Sequence, residues 1–197
     1  LGAVEADTLR QIVAAVAGQR AVSATVGDLP ALAEPLQARV QATAACGVQF
    51  VKVGFFGADR LPPALVELPR SVPGVKLVAV LFADRGPALG GSTRLKQAGW
   101  HGVMLDTAGK DGRGLRDWLA LPALGQFVLE ARAAGLLVGL AGSLRVGDIE
   151  PLARLGPDYL GFRGALCARA ERTGALEARR VREVHQRIER AAPVPAG

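Results

Sequence analysis

A chain of 197 residues that is 50% hydrophobic and 21% charged, with mean hydropathy +0.25, can bury its own core and is not a disordered polymer. No uncharged apolar stretch reaches the ~18 residues of a membrane span, and no basic segment followed by an apolar run marks a secretory leader, so a cytoplasmic location is expected. A net charge of +6 and a pI of about 10.1 invite an anionic partner, but Arg163, Arg169, Arg172, Arg179, Arg180, Arg182, Arg187 and Arg190 are interleaved with Glu171, Glu177, Glu183 and Glu189, as on a solvated helix face; with aromatic residues at 5% and no stacking platform, nucleic acid is disfavoured.

Residues 7–18 predict a helix with Asp7 and Thr8 as cap candidates and Leu9, Ile12, Val13 and Val16 on one face. RAVSATVG (20–27) follows as the first strand. The Ala-rich segment 32–45 predicts a helix ending at Cys46-Gly47. Strands are then expected at VQFVKVGF (48–55), VKLVAVLFAD (75–84) and HGVMLDT (101–107). A helix at 122–134 ends at Gly135 and is followed by strands at LLVGLAGS (136–143) and PDYLGFRG (157–164). A last helix is expected at about 171–191, before a frayed tail at 191–197.

Most of the strand segments are apolar on both faces, as in a parallel sheet covered by helices. Their starts lie 28, 27, 26, 35 and 21 residues apart, room each time for a strand, a loop and a covering helix. Repeating βα units leave an open doubly wound sheet or a (βα)8 barrel. The dinucleotide fingerprint GxGxxG is absent after the first strand, where VGDLP stands. Polar residues gather instead at or beyond the ends of several strands: Asp28, Lys52, Asp84, Asp106, Lys110, Ser143 and Arg163. A barrel places its site there. The expected fold is therefore a TIM (βα)8 barrel forming a single domain over 1–197, of which six βα units are visible. Either two strands escape the pattern or they lie upstream of Leu1.

Lys52 stands inside FVKVGFF. A buried lysine loses hydration, and its amine is driven toward the neutral, nucleophilic or proton-accepting form. A strand lysine can also be structural, salt-bridged or reaching out from a strand end. Asp106 closes the apolar run before MLDTAGKDG's glycine-rich loop, and Lys110 follows four residues later. Two amines and a carboxylate at one mouth suit carbonyl chemistry, although either loop residue also has an ordinary turn role. LAGSL (140–144) and GFRGA (161–165) close the last two strands. Gly142, Ser143 and Gly164 would bring backbone N–H groups to an anion, and Arg163 would add forked donors. A small phosphorylated substrate is the partner these loops suggest; a homo-oligomer is left open. Cys46 and Cys167 lie far apart and read as buried reduced thiols, and His101 and His185 are the only histidines, so neither a metal site nor a cofactor is expected.

Across VSATVGDLP (22–30), VKVGFFG (51–57), LDTAGKDG (105–112), LAGSL (140–144) and GFRGALC (161–167), the chain resembles the (5-formylfuran-3-yl)methyl phosphate synthase family. The resemblance implies a (βα)8 barrel that condenses two glyceraldehyde 3-phosphate molecules into a phosphorylated furan aldehyde for methanofuran-type cofactors. It implies Lys52 as general base, with Asp106 and Lys110 as the supporting aspartate and lysine. It also implies a Schiff-base lysine in an Asp-x-Lys segment followed by Leu-Gly-Ala. This chain opens Leu1-Gly2-Ala3, so that segment and the first two strands are expected upstream. The alternatives are another lysine-dependent aldolase-type lyase on sugar phosphates, or a non-catalytic basic binding module on a barrel remnant.

Overall fold

The computed structural model describes residues 2–27, 33–55, 63–87, 89–109, 112–171 and 173–191. In chain order the elements are α1 (Ala6–Val16), β1 (Ser23–Thr25), α2 (Ala33–Ala44), β2 (Phe50–Phe55), α3 (Pro63–Ser71), β3 (Leu77–Phe82), α4 (Ser92–Ala98), β4 (Gly102–Asp106), α5 (Leu115–Trp118), α6 (Leu121–Ala133), β5 (Leu137–Leu140), α7 (Ile149–Ala153), β6 (Tyr159–Leu160) and α8 (Ala178–Ala191). Among the described residues the strands form one parallel sheet in sequential order, β1 to β6.

Side-chain alternation divides the apolar residues into two layers. Val51, Val53 and Phe55 of β2, Leu77, Ala79 and Leu81 of β3, Val103 and Leu105 of β4, and Val138 and Leu140 of β5 face the helices. There they meet Leu36 and Val40 of α2, Leu68 of α3, Leu95 of α4, and Leu124, Phe127 and Val128 of α6. The opposite face holds a smaller apolar cluster, Val78, Val80, Phe82, Met104 and Ala141, with Phe50, Ala108 and Tyr159 against it. Buried on both sides, β3 has no polar residue.

The sheet is curled. β2 and β6 are four strands apart, which in a flat sheet would be about 19 Å. Yet the Lys52 amine lies 5.4 Å from the centroid of the Tyr159 ring. The cluster with Val78 and Met104 is therefore the concave interior of a partial barrel.

Several boundaries differ from the sequence reading for identifiable reasons. α1 starts at Ala6 after Glu5, so Asp7 and Thr8 lie in its first turn rather than capping it, and Asp7 pairs with Arg10 at 2.7 Å. The last helix begins at Ala178, not near 171. Before it, backbone groups bond between two non-helical stretches: Cys167 bridges Leu176, Ala168 N–H donates to Ala175, and Glu177 N–H donates to Leu166. α8 buries only Val184, and pairs such as Arg180–Glu177 and Arg187–Glu183 lie along its exposed side, as the mixed charges suggested. The tail at 192–197 lies outside the described residues.

Gly102 marks a place where β4 and β5 come too close for a side chain. A Cβ there would sit 2.7 Å from the Leu137 carbonyl oxygen, which the sheet pairing holds in place. Gly102→Ala is expected to destabilise the fold by roughly 1–3 kcal/mol, the usual cost of overpacking. Urea unfolding checks this, and a variant as stable as the parent would show that the strands can separate locally.

Candidate active site

Lys52, the third residue of β2, shares a rung with Thr25 on β1 and Val78 on β3. One rung higher runs Gly54, Val80, Met104, Gly139 and Tyr159. The lysine stem climbs from the first rung to the second, because its amine rests over the Tyr159 ring. Burial pushes the Lys52 amine below the ordinary lysine range, and the negative charge of Asp106 pulls it partly back. Lys52 and Asp106 thus face the same concave interior and act on each other electrostatically.

Asp106 is the last residue of β4, in register with Phe82. Its Oδ1 accepts the Thr107 N–H at 2.7 Å. Gly142 makes that strand end possible. With φ +104°, its missing Cβ would stand 2.9 Å from both the Thr107 amide nitrogen and the Thr107 Cγ2. The Gly142 carbonyl in turn accepts the Leu115 N–H at 2.9 Å, tying the loop after β5 to the start of α5.

Asp84 follows β3 in a short helical turn. Its Oδ1 accepts the Ala108 N–H at 2.8 Å and its Oδ2 the Gly109 N–H at 2.6 Å. Burial works against its charge, but these two hydrogen bonds, its own amide and neighbouring Arg85 outweigh it and hold the carboxyl below the usual aspartate range. Asp84 therefore clasps the backbone on one side of the segment that carries Lys110. On the other side, Asp117 Oδ2 accepts the Gly114 N–H at 2.7 Å, and Arg145 reaches both the Gly112 carbonyl at 3.3 Å and Asp117 at 3.2 Å. Lys110 itself and Asp28 lie outside the described residues.

The anion-binding candidates occupy two neighbouring loops. Ser143 is exposed in the left-handed conformation, φ +45°. Gly161 N–H donates to Leu140 at 2.8 Å, and a Cβ on Gly161 would be 2.9 Å from that of Ala141, so the two loops leave the sheet in contact. Gly164 opens a short helical turn just after Arg163. The Arg163 guanidinium donates to Cys167 Sγ at 3.0 Å, a partner that sequence reasoning did not foresee. Tyr159 was missed altogether: a tyrosine in an apolar strand reads as core, and only its being the sole tyrosine marked it.

Sequence comparison decides the family. The family model described as 4-HFC-P synthase matches residues 1–185. The chain belongs to this family, the (5-formylfuran-3-yl)methyl phosphate synthases. A Methylorubrum extorquens protein assigned to that name is 45% identical over 98% of this chain and 79% of its own length. The (5-formylfuran-3-yl)methyl phosphate synthase of Methanopyrus kandleri is 35% identical over 95% of this chain and 85% of its own. Among solved structures, phosphoribosyl anthranilate isomerase from Thermus thermophilus aligns with TM-score 0.65 at 17% identity, covering 94% of this chain and 80% of that one. The aldolase QR15 aligns with TM-score 0.61 at 13% identity, covering 79% and 73%. At these identities the likeness concerns fold alone, and it fits six βα units of a TIM-type barrel.

Asp84→Asn leaves one acceptor oxygen where two N–H groups converge. Hydrogen exchange at the Ala108 and Gly109 amides should accelerate by about tenfold or more, since hydrogen bonds to a charged acceptor contribute roughly 1.5–3 kcal/mol each. The ionised carboxylate is the acceptor and its folded-state pKa is lowered, so in the parent protein the clasp is complete above about pH 3.8 and is lost as pH falls through the lower folded value. Exchange unchanged by the substitution would mean that the loop is held by other contacts.

Proposed function

We propose that this chain is the acid–base and substrate-binding part of an enzyme that joins two glyceraldehyde 3-phosphate molecules into (5-formylfuran-3-yl)methyl phosphate, for methanofuran-type cofactors. The overall change releases one phosphate and two waters, which makes the enzyme a phosphate-eliminating carbon–oxygen lyase. The observation that carries the reading is a lysine amine inside the concave face of the sheet, lowered in pKa by burial and facing Asp106, in a chain of this family.

A neutral Lys52 amine takes a proton from the carbon next to the substrate carbonyl, and the electron pair left behind moves onto the carbonyl oxygen as an enediolate. The ammonium that forms is held by Asp106 and later returns its proton to a leaving hydroxyl or phosphate oxygen. Lys110, next in sequence to Gly109, whose N–H Asp84 accepts, supplies the second cation of this chemistry. Gly142, Ser143, Gly164 and Arg163 hold the phosphate that is kept, through backbone N–H groups and a forked guanidinium. For Arg163 this requires exchanging Cys167 Sγ, a weak acceptor, for a phosphate oxygen. The resemblance assigns Schiff-base formation to a lysine in an Asp-x-Lys segment, which these 197 residues do not contain.

Incubation of an enzyme that includes the Asp-x-Lys segment with glyceraldehyde 3-phosphate, followed by furan absorbance and released phosphate, tests the reaction, and the variants below are made in that enzyme. Lys52→Arg keeps the positive charge but cannot give it up, so turnover should fall at least a hundredfold, the low end of what general-base catalysis contributes. Near-parental turnover in that variant would remove Lys52 from proton transfer. Arg163→Ala should raise KM for glyceraldehyde 3-phosphate by about tenfold or more, with a smaller effect on kcat, because a charge-assisted hydrogen bond is lost in binding. An unchanged KM would place the phosphate elsewhere.

A further inference from the structure

Among the aromatic rings described in the concave interior, that of Tyr159 lies under the Lys52 amine and has no part in the proposed chemistry. We infer that Tyr159 is a positioning residue for Lys52: the face of its ring receives the protonated amine and fixes where the amine sits between proton transfers. The inference rests on Lys52 as the proton acceptor. Three observations carry it.

The amine lies 5.4 Å from the ring centroid, within the range at which an ammonium is attracted to the negative face of an aromatic ring. The ring is aimed, too. Tyr159 on β6 and Met104 on β4 flank Gly139 in one rung, and the Tyr159 hydroxyl donates to Met104 Sδ at 3.4 Å, so the ring lies across β5. Finally, Gly139 is the notch that lets it lie there. A Cβ at 139 would stand 2.2 Å from Tyr159 Cζ and 2.4 Å from Cε2.

The effect on the amine has a definite sign. Among the described residues, the titratable groups that act on Lys52 are Asp106 from β4 and Tyr159 from β6. The neighbouring strands offer Thr25 and Val78 in its rung, neither of which titrates. Burial, followed by the charges of Asp106 and Asp158, keeps the phenol protonated, so the ring stays neutral over the working range. A neutral ring favours the ammonium over the free amine. The ring therefore works with Asp106 against burial and strengthens Lys52 as a base.

Because the chain has a single tyrosine, ring-13C-tyrosine labelling places one probe beside the amine. In the parent protein the ring signals should titrate with a midpoint below the ordinary lysine range, and Lys52→Met should abolish that step. Ring signals that stay flat there would overturn the inference without any destabilising substitution. In kinetics, the acid limb of kcat/KM should move about one pH unit lower in Tyr159→Leu. Tyr159→Phe keeps the ring face and should leave the limb in place. A ring titration tied to Lys52 whose midpoint does not coincide with the parent's acid limb would leave the ring–amine contact standing and refute Lys52 as the base, whereas a coincident midpoint with no shift of the limb in Tyr159→Leu would overturn the ring's role. An equal shift in both variants would refute the ring's role and assign the effect to the hydroxyl.

Discussion

An amine inside a folded protein must exchange water for other partners, and the concave face of this sheet is arranged around how Lys52 does so. Its surroundings are largely aliphatic and thioether: Val78, Val80, Phe82 and Met104 fill the interior. Such a lining weakens the charged form. Asp106 opposes that tendency from one side, and the Tyr159 ring lies on another. The curl of the sheet is what makes this meeting possible, since the three residues come from the second, fourth and sixth strands. Flattening the sheet would separate them before any side chain moved.

The rim of the barrel is held by a different device. Carboxylates there are committed mainly to backbone N–H groups. Asp84 takes two from the loop after β4, and Asp117 takes one from Gly114; at the opposite end of the strands, Asp158 takes the Val138 N–H at 2.7 Å while pairing with Arg132. The bonds of Asp84 and Asp117 fix the segment between β4 and α5 on either side, and that of Asp158 fixes the entry into β6. The loops can then present small residues and cations without secondary structure of their own.

The strand rhythm was legible because parallel strands covered on both faces are written as apolar runs, and all six observed strands lie within the predicted segments. Lys52 and Asp106 were legible for the same reason: each interrupts such a run. Asp84 was visible as a polar strand-end residue, but its clasp on Ala108 and Gly109 spans 24 and 25 positions and follows no local pattern. Tyr159 was invisible because its partner is on a strand four places away and the two meet only through curvature. The start of the last helix was misplaced because charge periodicity runs back through Glu171, while the backbone there spends its hydrogen bonds on the Cys167–Leu176 bridge. What escaped the sequence depends on three-dimensional approach; what could be read depends on burial alone.

The notch at Gly139 also limits the order in which this interior can change. Any side chain at 139 collides with the ring, whereas a smaller residue at 159 vacates the space first. Residue 159 must shrink before residue 139 can grow, so paths through the reverse order pass an overpacked intermediate. The two positions therefore form a ratchet: once 139 has gained a side chain, the aromatic ring cannot return by a single substitution.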